Sequence, residues 1–248
     1  MKLCRFLVGA TLLAIGLTAG HEPAQAGNST LGTITFLRGD ALRAKQGTHW
    51  EPIKEKTAVF QGDKLKTKEG ARLEATLADG SKLRLGGNSE LNLQQVSFGK
   101  KSKAKKKVSV KLVVGRVWAS VTSLFGSDSK FEVTSPNAVA GVRGTRFAAS
   151  LGDDGSTTVK VYAGNVLVSN QPIYAIKGHT KANRVEVAGP QEIAKDAWEE
   201  MVAGAMKMVQ VAANGEMTAP QEFQMAATED DDWEQWNSER DKLAGISE

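Results

Sequence analysis

The stretch that decides the fold runs from Phe131 to Val168 and reads FEVTSPNAVAGVRGTRFAASLGDDGSTTVKVYAGNVLV. It contains two β-like runs, Arg146–Leu151 and Thr157–Tyr162, which are separated by Asp153–Asp154–Gly155. Asp-Gly between such runs predicts a β-hairpin, because the turn needs a positive φ that glycine adopts without strain. A second tight reversal is predicted at Gly164–Asn165. The stretch therefore indicates short strands joined by tight turns.

A compact bend is predicted where Gly141 and Gly144 bracket Val142 and Arg143. Glycines at such a spacing mark places where the backbone bends sharply or passes close to another strand. The five donors of Arg143 either tie together backbone carbonyls or a carboxylate at this corner, or recognise an anionic ligand or a partner's strand edge. The neighbours Val142, Gly144 and Phe147 have the character of packing residues and favour the structural role. The candidate binding residues of this segment are Asn137, Gly141, Arg143, Gly144 and Thr145.

The segment Pro136–Phe147, PNAVAGVRGTRF, resembles the signature of the FecR domain family, the periplasmic domain of ferric-citrate regulator proteins. Two upstream segments, Gly62–Thr67 and Leu77–Ser81, are similar to further motifs of that family and occur in the expected order. Together the three motifs cover roughly residues 60–168. The resemblance implies a compact all-β domain with solenoid character.

Period-two alternation of apolar and polar residues extends upstream over Thr33 to Val121, and Asp79–Gly80 predicts another hairpin. Such alternation buries one face of a strand and leaves the other in water. Many short strands indicate a sandwich, a roll or a solenoid, and periodicity does not choose among them. With the resemblance, the predicted fold is mostly β, a compact solenoid- or sandwich-like FecR domain followed by C-terminal α-helices. The alternating apolar residues are Ile34, Phe36, Leu73, Ala75, Leu77, Leu83, Leu85, Leu91, Leu93, Val108, Val110, Leu112, Val117, Ala119 and Val121.

The N-terminus has the order of parts of a secretory signal peptide. Met1–Arg5 is basic, Phe6–Ala19 is apolar, and Ala24–Gln25–Ala26 has the small residues of a cleavage site. The apolar run is shorter than the ~20 residues of a spanning helix, so an uncleaved anchor is only the alternative. We expect cleavage after Ala26 and a periplasmic or secreted protein. Residues 27–248 contain no cysteine, so the exported protein relies on its packed core rather than on disulfides.

The charge is divided unevenly along the chain. Residues 27–191 contain 26 Lys and Arg against 13 Asp and Glu, a net charge of +13. Residues 192–248 contain 4 against 14, a net charge of −10. An acidic tail on a basic body either lies against that body or attracts a different partner.

Six lysines lie close together in Lys100–Lys107, KKSKAKKK. Such a run is usually a solvated hairpin tip. The functional alternative is a patch that contacts an anionic envelope polymer, such as lipopolysaccharide or a phosphate-bearing glycan. Exposed charges are screened beyond ~8 Å at physiological ionic strength, so this binding would be salt-sensitive. Nucleic acid is not expected, because no aromatic residues interleave the run. The patch consists of Lys100, Lys101, Lys103, Lys105, Lys106 and Lys107.

The chain after the motifs divides into three further segments. The β domain is predicted over residues 27–190, an amphipathic helix over 191–215 and a linker over 216–228. Apolar residues from Trp198 to Ala212 recur at helical spacing and form one stripe. We expect this stripe to cover an open end or face of the β domain, with a groove on a partner as the alternative.

A second, acidic helix is predicted over residues 229–248. Asp230–Asp231–Asp232 lies at its start, where the helix dipole favours carboxylates. Trp233, Trp236 and Leu243 are predicted to share one side of it. The segment DDWEQWNSERDKL also resembles the C-terminal segment of stand-alone exported FecR-domain proteins. Two tryptophans rarely remain in water, so we expect this helix to dock, and the nearest candidate is its own basic domain.

The sequence contains no arrangement typical of an enzyme or a metal site. His49 and His179 lie in different segments without ligand spacing, and no nucleophile motif or phosphate loop is present. Asp153–Asp154 and Asp230–Asp232 lack the spacing of a calcium loop. We therefore predict no catalytic residue, no metal and no cofactor. A carboxylate pair for glycoside hydrolysis assembles only in space, so an envelope hydrolase stays open as the third hypothesis.

The first functional hypothesis is an exported periplasmic, non-catalytic protein-interaction or sensing module of the cell envelope. The alternative is a binder of anionic envelope polymers through Lys100–Lys107. In regulators of the resembled family, the domain follows a cytoplasmic segment that controls a sigma factor and one membrane span, and it reads an outer-membrane iron transporter. This sequence has neither segment, so we expect no sigma-factor control and no transmembrane segment in the mature chain.

Overall fold

The structure, a computed structural model, describes the residues in the ranges 30–45, 47, 49–97, 107–122, 130–142, 144–170, 205–225 and 232–246. The predicted signal peptide, Arg143 and all of the lysine patch except Lys107 lie outside these ranges. The strands are β1 (Thr30–Arg38), β2 (Ala41–Ala44), β3 (Trp50–Pro52), β4 (Ala58–Phe60), β5 (Lys64–Thr67), β6 (Arg72–Leu77), β7 (Lys82–Leu85), β8 (Glu90–Ser97), β9 (Lys107–Val114), β10 (Arg116–Ser120), β11 (Lys130–Thr134), β12 (Ala138–Val142), β13 (Arg146–Leu151), β14 (Thr157–Ala163), β15 (Val166–Asn170), β16 (Lys207–Val211) and β17 (Gln221–Glu222). The described helix, α1, spans Trp233–Leu243.

The strands form two sheets. Sheet A has the order β17-β16-β14-β13-β10-β7-β6-β1-β4, and sheet B has the order β15-β12-β11-β9-β8-β5-β2-β3. Neighbouring strands are antiparallel, except that β9 and β11 are parallel. The inward residues of both sheets share one apolar core, which includes every alternating residue singled out in the sequence except Phe36. The register of β1 shifts between Ile34 and Phe36, and the Phe36 ring instead lies 5.6 Å from the Trp236 ring of α1. The predicted mostly-β fold with a C-terminal helix is thereby confirmed.

The chain passes repeatedly from one sheet to the other, and glycines with positive φ occupy many of these crossings. At Gly115, between β9 and β10, φ is +83°, and a Cβ atom would lie 2.6 Å from Ser89 Cα and 2.7 Å from Asn88 O. Only glycine fits such a position. The crossings of this kind contain Gly39, Gly62, Gly70, Gly115, Gly144 and Gly164.

Two predicted hairpins are present, and two other turns differ from the prediction. Gly80 joins β6 to β7 and Gly155 joins β13 to β14, both with positive φ. Gly164 instead carries the chain from β14 in sheet A to β15 in sheet B. The bend predicted from Gly141 is limited to Gly144, because Gly141 lies within β12 and pairs with Glu132.

The predicted helix over residues 191–215 is wrong where the structure describes it. Lys207–Val211 is strand β16, which adds to the edge of β14 in antiparallel register. Val209 and Val211 point into the core two residues apart, and β-branched side chains suit a strand. Residues 191–204 lie outside the described ranges. The predicted linker also differs, because it contains β17, which pairs with β16.

Candidate functional site

The outward face of sheet A carries a row of polar and aromatic side chains beneath α1. Strand register places Glu74 opposite Arg84, Arg84 opposite Trp118, Trp118 opposite Ala148, and Ala148 opposite Lys160. The alternation that turns the leucines and valines of these strands inward turns this row outward. We define the helix-binding face as Arg72, Glu74, Arg84, Trp118, Ser120, Lys160 and Tyr162.

A buried charge network joins this face to α1. The Arg84 Nε donates to Glu74 Oε2 at 2.7 Å, and Arg84 Nη1 lies 2.7 Å from Asp241 Oδ1. The side chains of Arg84 and Asp241 are both 0% exposed. Arg240 donates from Nε and Nη2 to the two oxygens of Glu74 at 3.1 and 3.2 Å. Buried charges are tolerated when they are paired in this way.

Asp241 is the most completely recognised residue of the helix. Besides its ion pair with Arg84, its Oδ2 accepts from Trp118 Nε1 at 3.0 Å. The Ser120 hydroxyl donates to the same carboxylate, 2.7 Å from Oδ1 and 2.8 Å from Oδ2. Three donors of different kinds therefore converge on one carboxylate from β7 and β10.

Two further ion pairs connect the N-terminal part of α1 to the same face. Lys160 Nζ donates to Glu234 Oε1 at 2.5 Å. Arg72 Nη2 donates to Asp232 Oδ1. Asp232 occupies the N-cap position of α1, but its side chain makes no capping hydrogen bond to the helix. The first carboxylate of the helix is thus engaged by the sheet rather than by the helix backbone.

Arginines of the sheet stack on the tryptophans of the helix. The Arg116 guanidinium lies 4.9 Å from the centre of the Trp233 ring, and that of Arg72 lies 4.9 Å from the Trp236 ring. Trp233 is 3% exposed and packs in a small cluster with Trp118 and Tyr162. Cation–π contacts of this kind favour an arginine above a desolvated indole. The face therefore matches both the charges and the aromatic side chains of α1.

Leu243 does not share the buried side of the helix, contrary to prediction. It is 85% exposed. The polar contacts between α1 and the sheet run from Asp232 to Asp241, and Leu243 lies beyond them in the last turn. The buried stripe of α1 is mostly polar, with Glu234 and Asn237 beside Trp233 and Asp241.

The Glu74 carboxyl has a pKa lowered from its ordinary value of 4.5 to about 2. Burial alone would raise this pKa, but hydrogen bonds from Arg240, Arg84 and Thr35 together outweigh burial. The carboxylate therefore carries its negative charge beneath the helix, held there by arginines from both the sheet and α1.

Acid is expected to destabilise the protein through Glu74. Because its folded pKa lies below its unfolded value, its contribution is present above pH 4.5 and is lost as the pH falls toward 2. The contribution is about 3 kcal/mol, of which roughly 2 kcal/mol is lost by pH 3. Urea unfolding at pH 6 and pH 3 checks this: the wild type should lose more stability between the two than Glu74→Gln. Equal losses would contradict the role of Glu74.

Asn137 is a structural tie rather than an exposed recognition group. Its Nδ2 donates to the carbonyl oxygens of Gly155, Val211 and Ala212 at 3.1, 2.9 and 2.7 Å. Its Oδ1 accepts from the Thr157 hydroxyl at 2.5 Å. The side chain thereby fastens the turn before β12 to strands β14 and β16.

Asn137→Ala is expected to lower the free energy of unfolding by about 2 kcal/mol, because it leaves carbonyl oxygens without their donor. Denaturant unfolding of the full chain gives the value. Asn165→Ala serves as a surface control, because Asn165 is exposed beside Gly164. A loss of less than 0.5 kcal/mol, roughly that of a surface substitution, would show that Asn137 does not fasten the strands.

The other candidate residues of that segment do not gather around Asn137. Gly144 and Thr145 follow β12, whereas Asn137 precedes it. Thr145 is buried, and its carbonyl accepts from the Val121 backbone N–H at 2.9 Å. Gly141 lies between them in the middle of the strand. These residues are therefore spread along β12 rather than brought into one site.

Lys107 is the one residue of the lysine patch within the described ranges. It is exposed, begins β9 and pairs in parallel register with Lys130 on β11. The adjacent row of that face holds Glu132 opposite Ser109, and in the row beyond it Lys64 lies opposite Asn92, which lies opposite Lys111. The outward face of sheet B thus carries further lysines in the rows beyond Lys107.

Sequence reasoning did not find the sheet residues that hold α1. Glu74 and Arg84 occupy alternate polar positions, where a strand normally faces water. The available signal was Trp118, a large aromatic residue between the inward Val117 and Ala119 of β10. An outward tryptophan in one strand and two tryptophans in a distant helix indicate a shared interface.

The described residues contain neither a candidate membrane-spanning helix nor a candidate metal site. No described helix is both long enough and apolar enough to span a bilayer. No group of three or more His, Cys, Asp or Glu side chains in the described ranges has the arrangement of a metal site.

Comparison with known proteins gives one family. The model of the family described as FecR protein matches residues 63–167. None of the curated proteins with which the sequence was compared matches it. Two crystal structures of a "putative anti-sigma factor" from Parabacteroides distasonis ATCC 8503 are similar, each at 17% identity and a TM-score of 0.42 over 64% of this chain. The chain spans 59% of the length of those proteins. Residues 63–167 of this chain are thus similar to the FecR protein family.

Proposed function

We propose that the protein is an exported, non-catalytic protein-interaction or sensing module of the cell envelope. The FecR domain supports a regulatory or sensing role. The basic start, apolar run and small-residue site of residues 1–26 support export.

The observation that carries the proposal is the helix-binding face. It recognises an acidic helix residue by residue, with Arg72 on Asp232, Lys160 on Glu234 and Arg84 on Asp241. A surface that discriminates the side chains of a polypeptide in this way suits a binding module. Charged pairs and stacked aromatics give such binding its specificity.

Site-specific photo-crosslinking in cells tests the proposal. A photoreactive residue would replace Leu167 on the edge strand β15 or Val114 at the end of β9, which are both exposed. We expect a protease-sensitive adduct of discrete mass in the periplasmic fraction, formed only after illumination. The captured module itself should begin at Gly27. Adducts to glycan alone, or a module retained in the cytoplasm, would contradict the proposal.

Binding of an anionic envelope polymer is the second candidate, because Lys107 and Lys130 lie side by side on the outward face of sheet B. Binding to lipopolysaccharide should weaken steeply as salt rises, since exposed charges are screened within ~8 Å at physiological ionic strength. The double variant Lys107→Glu, Lys130→Glu should bind more weakly than wild type at low salt. Salt-independent binding, or no effect of deleting Lys100–Lys107, would exclude this mode.

Two sequence-based expectations belong to the proposal, and the second has a test of its own. The expectation that the protein does not control a sigma factor stays a prediction. The absence of catalysis is the other. Turnover of peptidoglycan or another envelope glycan by the purified protein would overturn the non-catalytic assignment.

A further inference from the structure

We infer that the helix-binding face is a receptor for an acidic helix supplied by a partner protein, and that α1 is a tethered competitor for that helix. The inference rests on the proposed function and names the class of partner. The partner helix presents tryptophan, then asparagine or another small polar residue four positions later, then aspartate eight positions later. These positions are those of Trp233, Asn237 and Asp241 in α1.

The β domain has a complete core without α1. The main apolar cluster contains residues from β1 to β16 and none from the helix. The helix packs instead on the smaller outer cluster of Trp118 and Tyr162. Departure of α1 would thus expose a polar and aromatic face and leave the inter-sheet core intact.

The network on the face remains balanced when the helix leaves. Arg84 and Glu74 are both on the sheet and are paired with each other at 2.7 Å. Asp241, which depends on the face for its partners, would return to water with the helix. An 11-residue helix is too short to be stable alone in water. The released segment therefore unfolds and folds again on binding, as many exchangeable recognition segments do.

The face holds two donors that α1 does not use. Arg84 Nη2 and Arg72 Nη1 are buried and have no hydrogen-bond partner among the described residues. On the helix, Glu234 Oε2 and Asn237 Oδ1 are likewise buried and have no hydrogen-bond partner among the described residues. Each such atom loses water without gaining a partner. A partner helix with hydrogen-bond acceptors for these two arginine atoms would therefore bind the face more tightly than α1 does.

The tether sets the concentration that a partner helix has to exceed in order to displace α1. A short connection holds a binding segment at an effective concentration of the order of millimolar. A free helix equal to α1 in affinity would therefore compete only at about that concentration. Cutting the connection removes the advantage and makes the face accessible to a free peptide.

The experiment uses the full chain with a protease recognition site placed between Met225 and Asp232. After cleavage, α1 stays bound by its contacts alone. A fluorescent peptide of residues 229–248 is then added to the cut chain and to the uncut chain as matched control. Fluorescence anisotropy reports binding, and far-UV circular dichroism reports the β domain. Further peptides carry Asp241→Ala or, as a control on the exposed side, Leu243→Ala.

We expect the peptide to bind the cut chain at micromolar concentration. The uncut chain should require a peptide concentration at least 100-fold higher. The Asp241→Ala peptide should bind at least 100-fold more weakly, and the Leu243→Ala peptide within threefold of the parent. The β-sheet signal should persist during the exchange. Failure of the peptide to enter the cut chain, equal binding of the Asp241→Ala peptide, or loss of the β signal would overturn the inference. Concentration-dependent dimers of the uncut chain through α1 would assign the face to a second copy instead, against the inference.

This test uses two purified components, so its failure is separate from failure of the crosslinking experiment. A captured partner together with a peptide that does not exchange would retain the proposed function and reject this surface. An exchanging peptide without any cellular adduct would retain the surface and reject the proposed role in the envelope.

Discussion

Gly115→Ala is expected to lower the free energy of unfolding by about 3–5 kcal/mol, because it combines backbone strain with overpacking. The residue carries the chain from sheet B to sheet A at a φ of +83°. A methyl group there would collide with the backbone of Asn88 and Ser89, which belongs to the crossing between β7 and β8 and has little freedom to move. Chemical denaturation of the full chain measures the loss.

Gly70→Ala is the matched control for Gly115. Gly70 also has a positive φ, +65°, at a crossing between the sheets, but a Cβ atom there would have nothing within 4 Å. Its substitution should cost only the backbone term of about 1–2 kcal/mol. Equal losses for the two variants would show that the close approach at Gly115 does not matter to the fold.

Asp241→Ala is expected to release α1 from the sheet. The substitution leaves Arg84 with one carboxylate instead of two, and it removes the acceptor of Trp118 and Ser120. Breaking a buried ion pair by removing one partner costs about 3–5 kcal/mol. In this variant, the cost lowers the free energy with which the helix docks on the sheet. Tryptophan emission should shift to the red as Trp233 enters water, and protease should cleave within the helix.

In this variant, the β domain should stay folded after the helix has left the sheet. Arg84 keeps its pair with Glu74 after release, and the main core contains no residue of α1. The loss in global stability is therefore limited to the free energy of docking. Leu243→Ala, on the same helix but 85% exposed, should change neither emission nor cleavage. A release by both variants, or by neither, would contradict the assigned role of Asp241.

Strand patterning made most of the β fold predictable. Alternating residues such as Leu73 and Ala75 have to face one side of a strand, and both lie in the core. Local turn chemistry identified Gly80 and Gly155 as hairpin residues. It did not reveal that Gly164 joins two sheets, because a glycine with positive φ serves a hairpin and a crossing equally well.

The helix predicted over 191–215 fails because its apolar spacing fits two periods. Met206 and Val209 are three residues apart, as on a helix, but Val209 and Val211 are two apart, as on a strand. The open edge of β14 decides between them, since it supplies the hydrogen bonds that β16 takes up. Tertiary pairing of this kind is not written in the local sequence.

The sequence predicted the helix side of the site but not its sheet side. Trp233 and Trp236 indicated that the acidic helix docks, and the basic body indicated where. Its sheet partners Arg84 and Glu74 remained hidden, because a charged residue at an alternate strand position is ordinarily solvated. Their role depends on a contact with residues more than 150 positions away, which only the fold brings into reach.

Hydrogen exchange of the α1 amides tests the central claim most directly, namely that the helix is held on sheet A by specific contacts. In the full-length wild type, the amides of Trp236 to Leu243 should exchange at least 100-fold more slowly than in the free peptide of residues 229–248. The Asp241→Ala variant should bring those amides to the rate of the free peptide while the amides of β7 and β10 stay protected. Free-peptide rates in the wild type, or protection of α1 that survives Asp241→Ala, would contradict the account.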